Sequence, residues 1–478
     1  MIRQIITFSF LLSLSISTSA DWLDTVANTV DAALGRTTTN NNSALIPVTA
    51  AQFKLPPHWK SYWLENPNLG TRIFLAETGK ANAPTIILVH GLGQNGLRDW
   101  LSLTPALEQH YRVVMIDLPG FANSPSPQTK LSPTTYADVL HFIKPYFSKT
   151  PVTVVGHSMG GAVTLRYAER YPDDIAKIML IDAAGILQRT AFVKHSATDR
   201  IPTGSEQSIN PLLTYAIGLQ DIGNTIIEKL LSLPDPTSLL GKSNVVWGKT
   251  LQNYPNINAA LSLIEEDFSA AIFTTQKNVS ILWGSNDQIA PLRTAQTLSA
   301  TLANSNLKII DGAGHVPMAT HAKDVSQWII EQFNKPITQA KADKITNTPQ
   351  AYECLQRSGD RLTGNYTRIT LNGCTEVTLD GVTANEIIIT DSAAAIQNSH
   401  FTNPQTSLTI TNSSVLATGG SISGLVTVDN SRIDFAGIQF TQNISFNATK
   451  KSRLILSVSK TSNGRYLHKD IELENARW

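Results

Sequence analysis

Two patterns of hydrophobic and polar residues divide the chain. Between about residues 53 and 340, short and almost wholly apolar runs end at a glycine or a polar residue, as in "PTIILVHG" and "VTVVGHS". Stretches with a helical spacing of apolar residues separate most of these runs, for example "TTYADVLHFI". Apolar strands that alternate with amphipathic helices are typical of a parallel sheet covered on both faces. We therefore predict an α/β domain with a mainly parallel sheet over residues 53–340.

One connection in this domain is unusually long. Residues from about 186 to 277 separate the runs "IMLIDAAG" and "VSILWGSND". A connection of that length needs structure of its own, and "INAALSLIEEDFSAAI" has the spacing of helices. We predict a helical lid inserted above the sheet. Its apolar side chains Leu212, Leu213, Tyr215 and Trp247 either line an acyl pocket or pack the lid onto the body.

The pattern changes again over residues 345–478. Thr, Ser and Asn dominate, and short alternating strands run into turn residues at Asp391, Asn412, Asn430 and Asn447. The recurrence of these turns about every twenty residues suits one coil of a β-solenoid. We predict an all-β accessory domain of this type, with a β-sandwich as the alternative.

The two cysteines of the chain both lie in this C-terminal region. Cys354 and Cys374 are expected to form a disulfide in an oxidising compartment, with two buried thiols as the alternative. No cluster of His and Cys surrounds them, so we expect no metal site there.

The N-terminus predicts export. Residues 1–20 have the features of a signal peptide, namely Arg3, an apolar run, and the small residues Thr18 and Ala20 before a cleavage site. An uncleaved anchor is the alternative. Residues 21–52 are expected to form an arm or linker. Cleavage after Ala20 would release the protein into the periplasm or the medium.

Charge excludes one class of partner. The chain has 38 Lys and Arg residues against 37 Asp and Glu residues. A nucleic-acid-binding protein would need a basic face, so we expect no nucleic-acid partner.

The motif "GHSMG", residues 156–160, carries the first chemical signal. It matches G-x-S-x-G between a predicted strand and a predicted helix, which is the context that this motif requires. A sharp turn there lifts the hydroxyl of Ser158 above the sheet, at the N-terminus of the helix. We predict that Ser158 is a nucleophile.

A serine nucleophile needs a base, and the base needs an acid to orient it. His315 follows the last predicted strand of the α/β domain, in "GAGH", and is the expected base. Asp287, after the preceding strand in "GSND", is the expected acid, with Asp182 in "LIDAAG" as its rival. Their chain order, serine then aspartate then histidine, is typical of this motif.

The other histidines near these elements are not expected to act as the base. His157 adjoins the serine, and its side chain should point away from the site. His90 ends a strand and is expected to be structural, whereas His321 lies at the start of a helix and is expected on the surface.

An oxyanion requires two hydrogen-bond donors. The backbone N–H of Met159, directly after the serine, is one candidate. The second is expected in "HGLGQNG", with the N–H of Leu92 as our choice.

Together, the motifs "HGLG", "DLPGFANS", "GHSMGG", "GSND" and "GAGH" resemble the α/β-hydrolase superfamily from about residue 53 to 335. The resemblance implies a serine hydrolase with an acyl-enzyme intermediate and no cofactor. The serine makes a carboxylate-dependent dehalogenase or epoxide hydrolase an unsuitable match. Ala122 stands in "DLPGFANS" where the family often has glycine. The C-terminal region is not covered by the resemblance.

We therefore predict an exported carboxylesterase or lipase that acts on a small-molecule or lipid ester. One alternative is a hydrolase of a C–C or amide bond that uses the same triad. Another is a protein that acts through its C-terminal domain, by binding a surface or a polysaccharide. We predict that deletion of this accessory C-terminal domain leaves small-ester activity largely intact. Complete loss of folding would show one cooperative unit instead.

Overall fold

The computed structural model describes residues 43–188, 237–240, 243–335, 348–442 and 445–477. A nine-stranded mixed sheet forms the centre of the first part of the chain, with the order β1-β2-β3-β5-β4-β6-β7-β8-β9. Its strands are β1 (Ile46–Val48), β2 (Lys60–Asn66), β3 (Thr71–Thr78), β4 (Thr85–Val89), β5 (Arg112–Asp117), β6 (Val152–His157), β7 (Ile175–Ile181), β8 (Asn278–Gly284) and β9 (Ser305–Ile310). The first three strands pair antiparallel with their neighbours, and the remaining six are parallel to one another.

Helices cover this sheet and connect its strands. The α-helices are α1 (Thr104–Leu107), α2 (Pro133–Ile143), α3 (Met159–Arg170), α4 (Thr237–Leu240), α5 (Asn244–Leu251), α6 (Pro255–Leu263), α7 (Ser269–Thr274), α8 (Leu292–Thr301), α9 (Pro317–Thr320) and α10 (Ala322–Asn334). Short 3-10 helices lie at Ala50–Phe53, Gly96–Trp100, Lys144–Tyr146 and Pro172–Asp174. None of the helices in these described residues combines the length and hydropathy that a membrane span requires.

Both faces of the central strands are buried, as their unbroken apolar runs predict. In β4, Ile87 and Val89 belong to one apolar core, and Ile86 and Leu88 belong to the core on the opposite face. Successive side chains of a strand point to opposite faces, so a strand that is buried on both sides must be apolar throughout. This confirms the predicted α/β sheet.

The edge strand β1 departs from our prediction. Residues 21–52 were expected to form an arm or linker, yet Ile46–Val48 pairs with β2, and Ser61 donates a hydrogen bond to the Val48 carbonyl oxygen at 2.9 Å. An edge strand of three residues buries little surface and has too few positions to show alternation. Its identity depends on the neighbouring strand, which local sequence does not reveal.

The described part of the predicted lid is helical and includes α5, α6 and α7. Trp247 in α5 is fully buried, and the Lys130 ammonium group lies 4.3 Å from the centre of its ring. Trp247 therefore packs the lid onto the body, which is the second of the two roles that we considered. The other predicted lid residues, Leu212, Leu213 and Tyr215, lie outside the described residues.

The C-terminal region is all β. Its strands are β10 (Gln350–Leu355), β11 (Arg361–Asn372), β12 (Val377–Thr390), β13 (Ala393–Phe401), β14 (Thr406–Thr411), β15 (Ser414–Ile422), β16 (Leu425–Asp429), β17 (Arg432–Ala436), β18 (Gln439–Phe440), β19 (Ser445–Ala448), β20 (Ser452–Lys460), β21 (Tyr466–Leu473) and β22 (Ala476–Arg477). Within the described residues, the strands from β10 to β20 pair parallel with one another. The pairs β20–β21 and β19–β22 are antiparallel.

Three of the four predicted turn residues lie at turns. Asp391, Asn412 and Asn430 all have positive φ, at 48°, 50° and 48°, a conformation that Asn and Asp tolerate better than most residues. Asn447 is a correction, because it lies within β19 and pairs with Thr427. Its polar side chain gave the same local signal as the turn residues, although the backbone there is extended.

A column of serines directly follows these turns. The backbone N–H of Ser392 donates to Ser413 Oγ at 3.0 Å, that of Ser413 to Ser431 Oγ at 3.0 Å, and that of Ser431 to Ser452 Oγ at 3.2 Å. The Oγ of each of the first three serines also donates to the carbonyl oxygen two residues earlier. The column thus satisfies buried backbone groups and fixes the alignment of the segments that follow these turns.

Apolar side chains fill the interior of this region. Phe401, Phe435, Phe440 and Phe446 are buried in it. Cys354 and Cys374 form a disulfide, which confirms the predicted pairing.

The described residues from Leu45 onwards form one compact unit. Arg293 in α8 is buried and makes an ion pair with buried Asp434 of β17, at 2.9 Å between a guanidinium nitrogen and Oδ1. Arg293 Nε also donates to Thr418 Oγ1 at 2.8 Å. The C-terminal region therefore packs directly on the helix that follows Asp287.

Candidate active site

A sharp turn between β6 and α3 holds Ser158. Its φ is 53° and its ψ is −122°, a strained conformation for a residue with a side chain, and it is only 2% exposed. A Cβ atom at Gly160 would lie 2.2 Å from the carbonyl oxygen of Val89, so only glycine fits beneath the turn. The small residues of "GHSMG" therefore allow the turn that aims the serine hydroxyl out of the sheet.

The structure brings the predicted serine, histidine and aspartate together. His315 Nε2 lies 2.9 Å from Ser158 Oγ, and His315 Nδ1 lies 2.8 Å from Asp287 Oδ2. The three residues follow β6, β9 and β8, so they meet at the carboxyl edge of the parallel strands. They are 157 and 28 residues apart in the chain.

The backbone of its own loop holds the Asp287 carboxylate. Oδ1 accepts hydrogen bonds from the N–H groups of Ile289 and Ala290, at 2.8 and 2.9 Å. These bonds fix the carboxyl plane and leave Oδ2 to the imidazole of His315. The acid is therefore rigidly oriented before any substrate binds.

Asp182, the rival acid, contacts a different partner. Its Oδ1 accepts a hydrogen bond from the N–H of Gly284 at 2.8 Å, and its side chain is fully buried. Burial, and then the negative charge of Asp287, raise the pKa of Asp182 well above its usual range. Asp287, not Asp182, is the carboxylate beside His315.

His157 has a contact that we did not expect. Its Nε2 lies 2.7 Å from the backbone carbonyl oxygen of His315, so this nitrogen carries a proton and donates it. Burial lowers the pKa of His157 to about 3, with a further contribution from His315. A neutral His157 thus holds the loop that carries His315. In the sequence, the one signal for His157 was its position next to the serine, which does not indicate this contact.

The loop after β4 passes directly beside the serine. A Cβ atom at Gly91 would lie 2.7 Å from Ser158 Cβ, so a glycine is required at this close approach. His90 holds the loop, because its Nδ1 donates to the Gly91 carbonyl oxygen at 2.7 Å and its Nε2 accepts from Leu118 N–H at 3.0 Å. Leu92, the predicted oxyanion donor, directly follows Gly91 in this loop.

Met159, the other predicted oxyanion donor, is the first residue of α3. The N–H groups in the first turn of a helix have no acceptor within the helix, so they are free to bind an anion. The two predicted donors therefore lie on the two segments that flank the Ser158 side chain.

Asp117 also holds the segment that follows β4. Its Oδ1 accepts from Leu97 N–H at 2.7 Å, and its Oδ2 accepts from the backbone and side-chain N–H groups of Asn123 at 3.0 and 2.8 Å. Sequence reasoning gave this residue no role. Its local signals were a carboxylate at the end of an apolar strand and its place as the first residue of the motif "DLPGFANS".

The site contains no recognisable metal centre within the residues that the structure describes. Across that part of the chain, no group of three or more His, Cys, Asp or Glu side chains is arranged to hold a metal ion.

Comparisons with known proteins give relatives of the first part of the chain. An uncharacterized protein of Mycobacterium tuberculosis is 27% identical over 253 residues, which cover 49% of this chain and 71% of that protein. Lipase 3 of Moraxella sp. (strain TA144) is 26% identical over 264 residues, which cover 54% of this chain and 79% of that protein. Among solved structures, an esterase from Exiguobacterium antarcticum aligns with a TM-score of 0.42 at 19% identity, covering 57% of this chain and 99% of that one.

A family model gives the assignment. The model of the alpha/beta hydrolase fold matches residues 84–322 and includes the segments that hold Ser158, Asp287 and His315. Because this match spans half of the 478 residues, the protein belongs to the alpha/beta hydrolase fold family.

Proposed function

We propose that this protein is a serine hydrolase that cleaves carboxylic esters. The observation that carries the proposal is the unbroken chain of contacts from Asp287 Oδ2 through the His315 imidazole to Ser158 Oγ, with both separations below 3 Å. A nucleophile in contact with a base that an acid orients is the arrangement that acyl transfer requires.

In the proposed mechanism, Ser158 Oγ attacks the ester carbonyl carbon while His315 Nε2 takes its proton. Asp287 holds the proton on Nδ1 and stabilises the imidazolium that forms. His315 then protonates the leaving alcohol, and the acyl group remains on Ser158. A water molecule, deprotonated by His315, releases the acid and restores the serine.

The tetrahedral intermediates carry a negative oxygen that needs donors. We assign this role to the backbone N–H groups of Leu92 and Met159. The assignment is supported by the close approach of the Gly91 backbone to Ser158 and by the place of Met159 at the start of α3.

The substrate class is a small-molecule or lipid ester. Relatives named as lipases, from Moraxella and from mouse, support this choice over an amide or a C–C bond. The apolar composition of the predicted lid favours a medium or long acyl chain. A preference for acetate or for charged esters would contradict this part of the proposal.

The test is hydrolysis of p-nitrophenyl esters of increasing acyl length by the full chain. Ser158→Ala should abolish turnover and labelling by an active-site phosphonate. Ser421→Ala is a matched control, because it removes another hydroxyl in contact with an imidazole, 2.8 Å from His400 Nδ1 in the C-terminal region. Labelling without ester turnover would indicate a different bond, and the absence of both would refute the proposal.

We also propose that the protein is exported and that residues 345–478 form a β-solenoid accessory domain. Parallel pairing between residues about twenty positions apart supports a solenoid. Ile387 pairs with Leu408, and Ile410 pairs with Val428. Mass spectrometry of the mature N-terminus in periplasmic and medium fractions would test export. Surface or polysaccharide binding by this domain stays a prediction, to be tested by co-sedimentation with insoluble polysaccharides.

A further inference from the structure

One oxygen atom of Asp182 has no hydrogen-bond donor among the residues that the structure describes. Its side chain is fully buried at the end of β7, and Oδ1 accepts from Gly284 N–H at 2.8 Å. Its other oxygen, Oδ2, accepts no hydrogen bond from the residues that the structure describes. An ionised carboxylate with one bare oxygen is costly in a buried place, so this oxygen requires a proton or a partner.

The Asp287 carboxyl group is its neighbour in the same turn, because Gly284 donates its N–H to Asp182 Oδ1 at 2.8 Å and accepts from the N–H of Asp287 at 3.3 Å. The two carboxyl groups are close enough to interact through a hydrogen bond. Two adjacent buried carboxyl groups do not both ionise, because their negative charges repel without solvent to screen them. Asp287 accepts two backbone N–H groups and faces His315, whereas Asp182 accepts one N–H group. The negative charge therefore belongs on Asp287 and the shared proton on Asp182.

We propose that Asp182 is a neutral carboxylic acid that donates a hydrogen bond to Asp287 and acts as a positioning residue for the triad. The proposal deepens the proposed function, because Asp287 has a catalytic role only if that function holds. If Asp182 is neutral, the two carboxyl groups of Asp182 and Asp287 together carry one negative charge instead of two. It also adds a third donor to the two N–H groups that fix the Asp287 carboxylate.

The backbone at Asp182 makes a sharp test possible. Its φ is 46°. Asparagine and aspartate adopt such a positive φ more readily than other residues that have a side chain. In Asp182→Asn the amide oxygen can accept from Gly284 N–H while the amide NH2 donates to Asp287. This variant therefore reproduces the proposed neutral acid and lacks the charge of an ionised one.

Activity separates the two protonation states. We expect kcat/KM of Asp182→Asn to stay within about threefold of the wild type. Asp287→Asn, which removes the charge beside His315, should lose about 10⁴-fold. A loss in Asp182→Asn that approaches the loss in Asp287→Asn would overturn the proposal, because Asp182 would then carry a required charge.

The pH profile distinguishes positioning from simple structural support. Asp182→Ala removes a donor from Asp287, which makes that carboxylate a stronger base and stabilises the imidazolium of His315. The acidic limb of the kcat/KM profile should move to higher pH in Asp182→Ala and stay in place in Asp182→Asn. An unmoved limb in Asp182→Ala would show that Asp182 does not act on the triad.

A measurement without substrate keeps this proposal separate from the proposed function. The infrared spectrum of the wild type near pH 7 should contain the C=O stretch of a protonated carboxyl group, and Asp182→Asn should lack it. Asp117 is the matched control, because it is also a buried aspartate at a strand end, so the band assigned to Asp182 must persist in Asp117→Asn. Absence of that band from the wild type would overturn the proposal even if ester hydrolysis were established. Its presence in a protein that cleaves no ester would uphold neutral Asp182 and refute only the function.

Discussion

Removal of one partner from the buried ion pair between Arg293 and Asp434 should strongly destabilise the protein. Arg293 is 6% exposed and Asp434 is not exposed at all. The guanidinium group also donates to the backbone carbonyl oxygens of Ala417 and Asp434, at 2.8 and 3.1 Å. The perturbation of choice is Arg293→Met, which keeps an unbranched apolar side chain and removes the charge.

The magnitude follows from what the substitution leaves behind. Without Arg293, the carboxylate of Asp434 loses its cation in a site that water does not reach, and breaking a buried pair in this way costs about 3–5 kcal/mol. With an m-value of about 3 kcal/mol/M in urea, a loss of about 4 kcal/mol lowers the midpoint by about 1.3 M. Arg293→Met with Asp434→Leu should recover most of the loss, because no charge then stays buried.

Urea unfolding of the full chain, followed by circular dichroism and tryptophan fluorescence, measures the effect. The matched control is Arg361→Met, which breaks an ion pair with Asp380 in the same C-terminal region. Because Arg361 is 67% exposed, its loss should change the free energy of unfolding by less than about 1 kcal/mol. If Arg293→Met shifts the midpoint no further than Arg361→Met, the buried pair does not stabilise the contact between the two parts of the chain.

The contact between Arg293 and Asp434 also predicts the effect of deleting the C-terminal domain. Deletion of the C-terminal domain would leave the guanidinium group of Arg293 and the packing surface of α8 exposed. Helix α8 begins five residues after Asp287, so the loop that holds the acid would lose its support. This contact argues against the sequence-based prediction that the deletion leaves small-ester activity largely intact, and we expect loss of folding or of activity instead.

Three further predictions concern single sites. His157→Gln should remove a pH dependence of stability, because the pKa of His157 in the folded state, about 3, lies below its ordinary value. The free energy of unfolding of the wild type should fall by up to about 1.4 kcal/mol per pH unit as pH falls from about 6.5 towards 3. Urea titrations in which the Gln variant keeps this slope would contradict the reasoning. Ala122→Gly should raise the free energy of unfolding by about 1 kcal/mol in urea without changing activity, because Ala122 has a φ of 47° that glycine adopts without strain; a lower midpoint would refute this. Cys354→Ser with Cys374→Ser should cost about 3 kcal/mol, since the disulfide closes a loop with a sequence separation of 20, and an unchanged melting temperature would count against it.

The sequence predicted the triad because each member has a strong local signal. Ser158 lies in a motif with a required strand and helix around it, and Asp287 and His315 each follow an apolar run. Parallel strands bring such ends to one edge of the sheet, so the contacts follow from topology. The fold and the two contacts within the triad could therefore be predicted without knowledge of distant residue pairs.

The contacts that support the site were not predictable in the same way. His157 binds the backbone of a residue 158 positions away, and Arg293 pairs with a residue 141 positions away. A buried arginine gives the same local pattern as an exposed one on an amphipathic helix. The protonation of Asp182 depends on which carboxylate lies beside it, which only the folded chain determines.

The serine column has a consequence for how the C-terminal domain can change in evolution. Its links join residues 21, 18 and 21 positions apart, so segments between serines can differ in length while the column keeps its alignment. An insertion between a turn residue such as Asn412 and the serine after it would displace the hydroxyl from the N–H group that it binds. Duplication of a whole repeat would instead add one link and leave the others intact. The domain can therefore grow by tandem duplication, one complete repeat at a time.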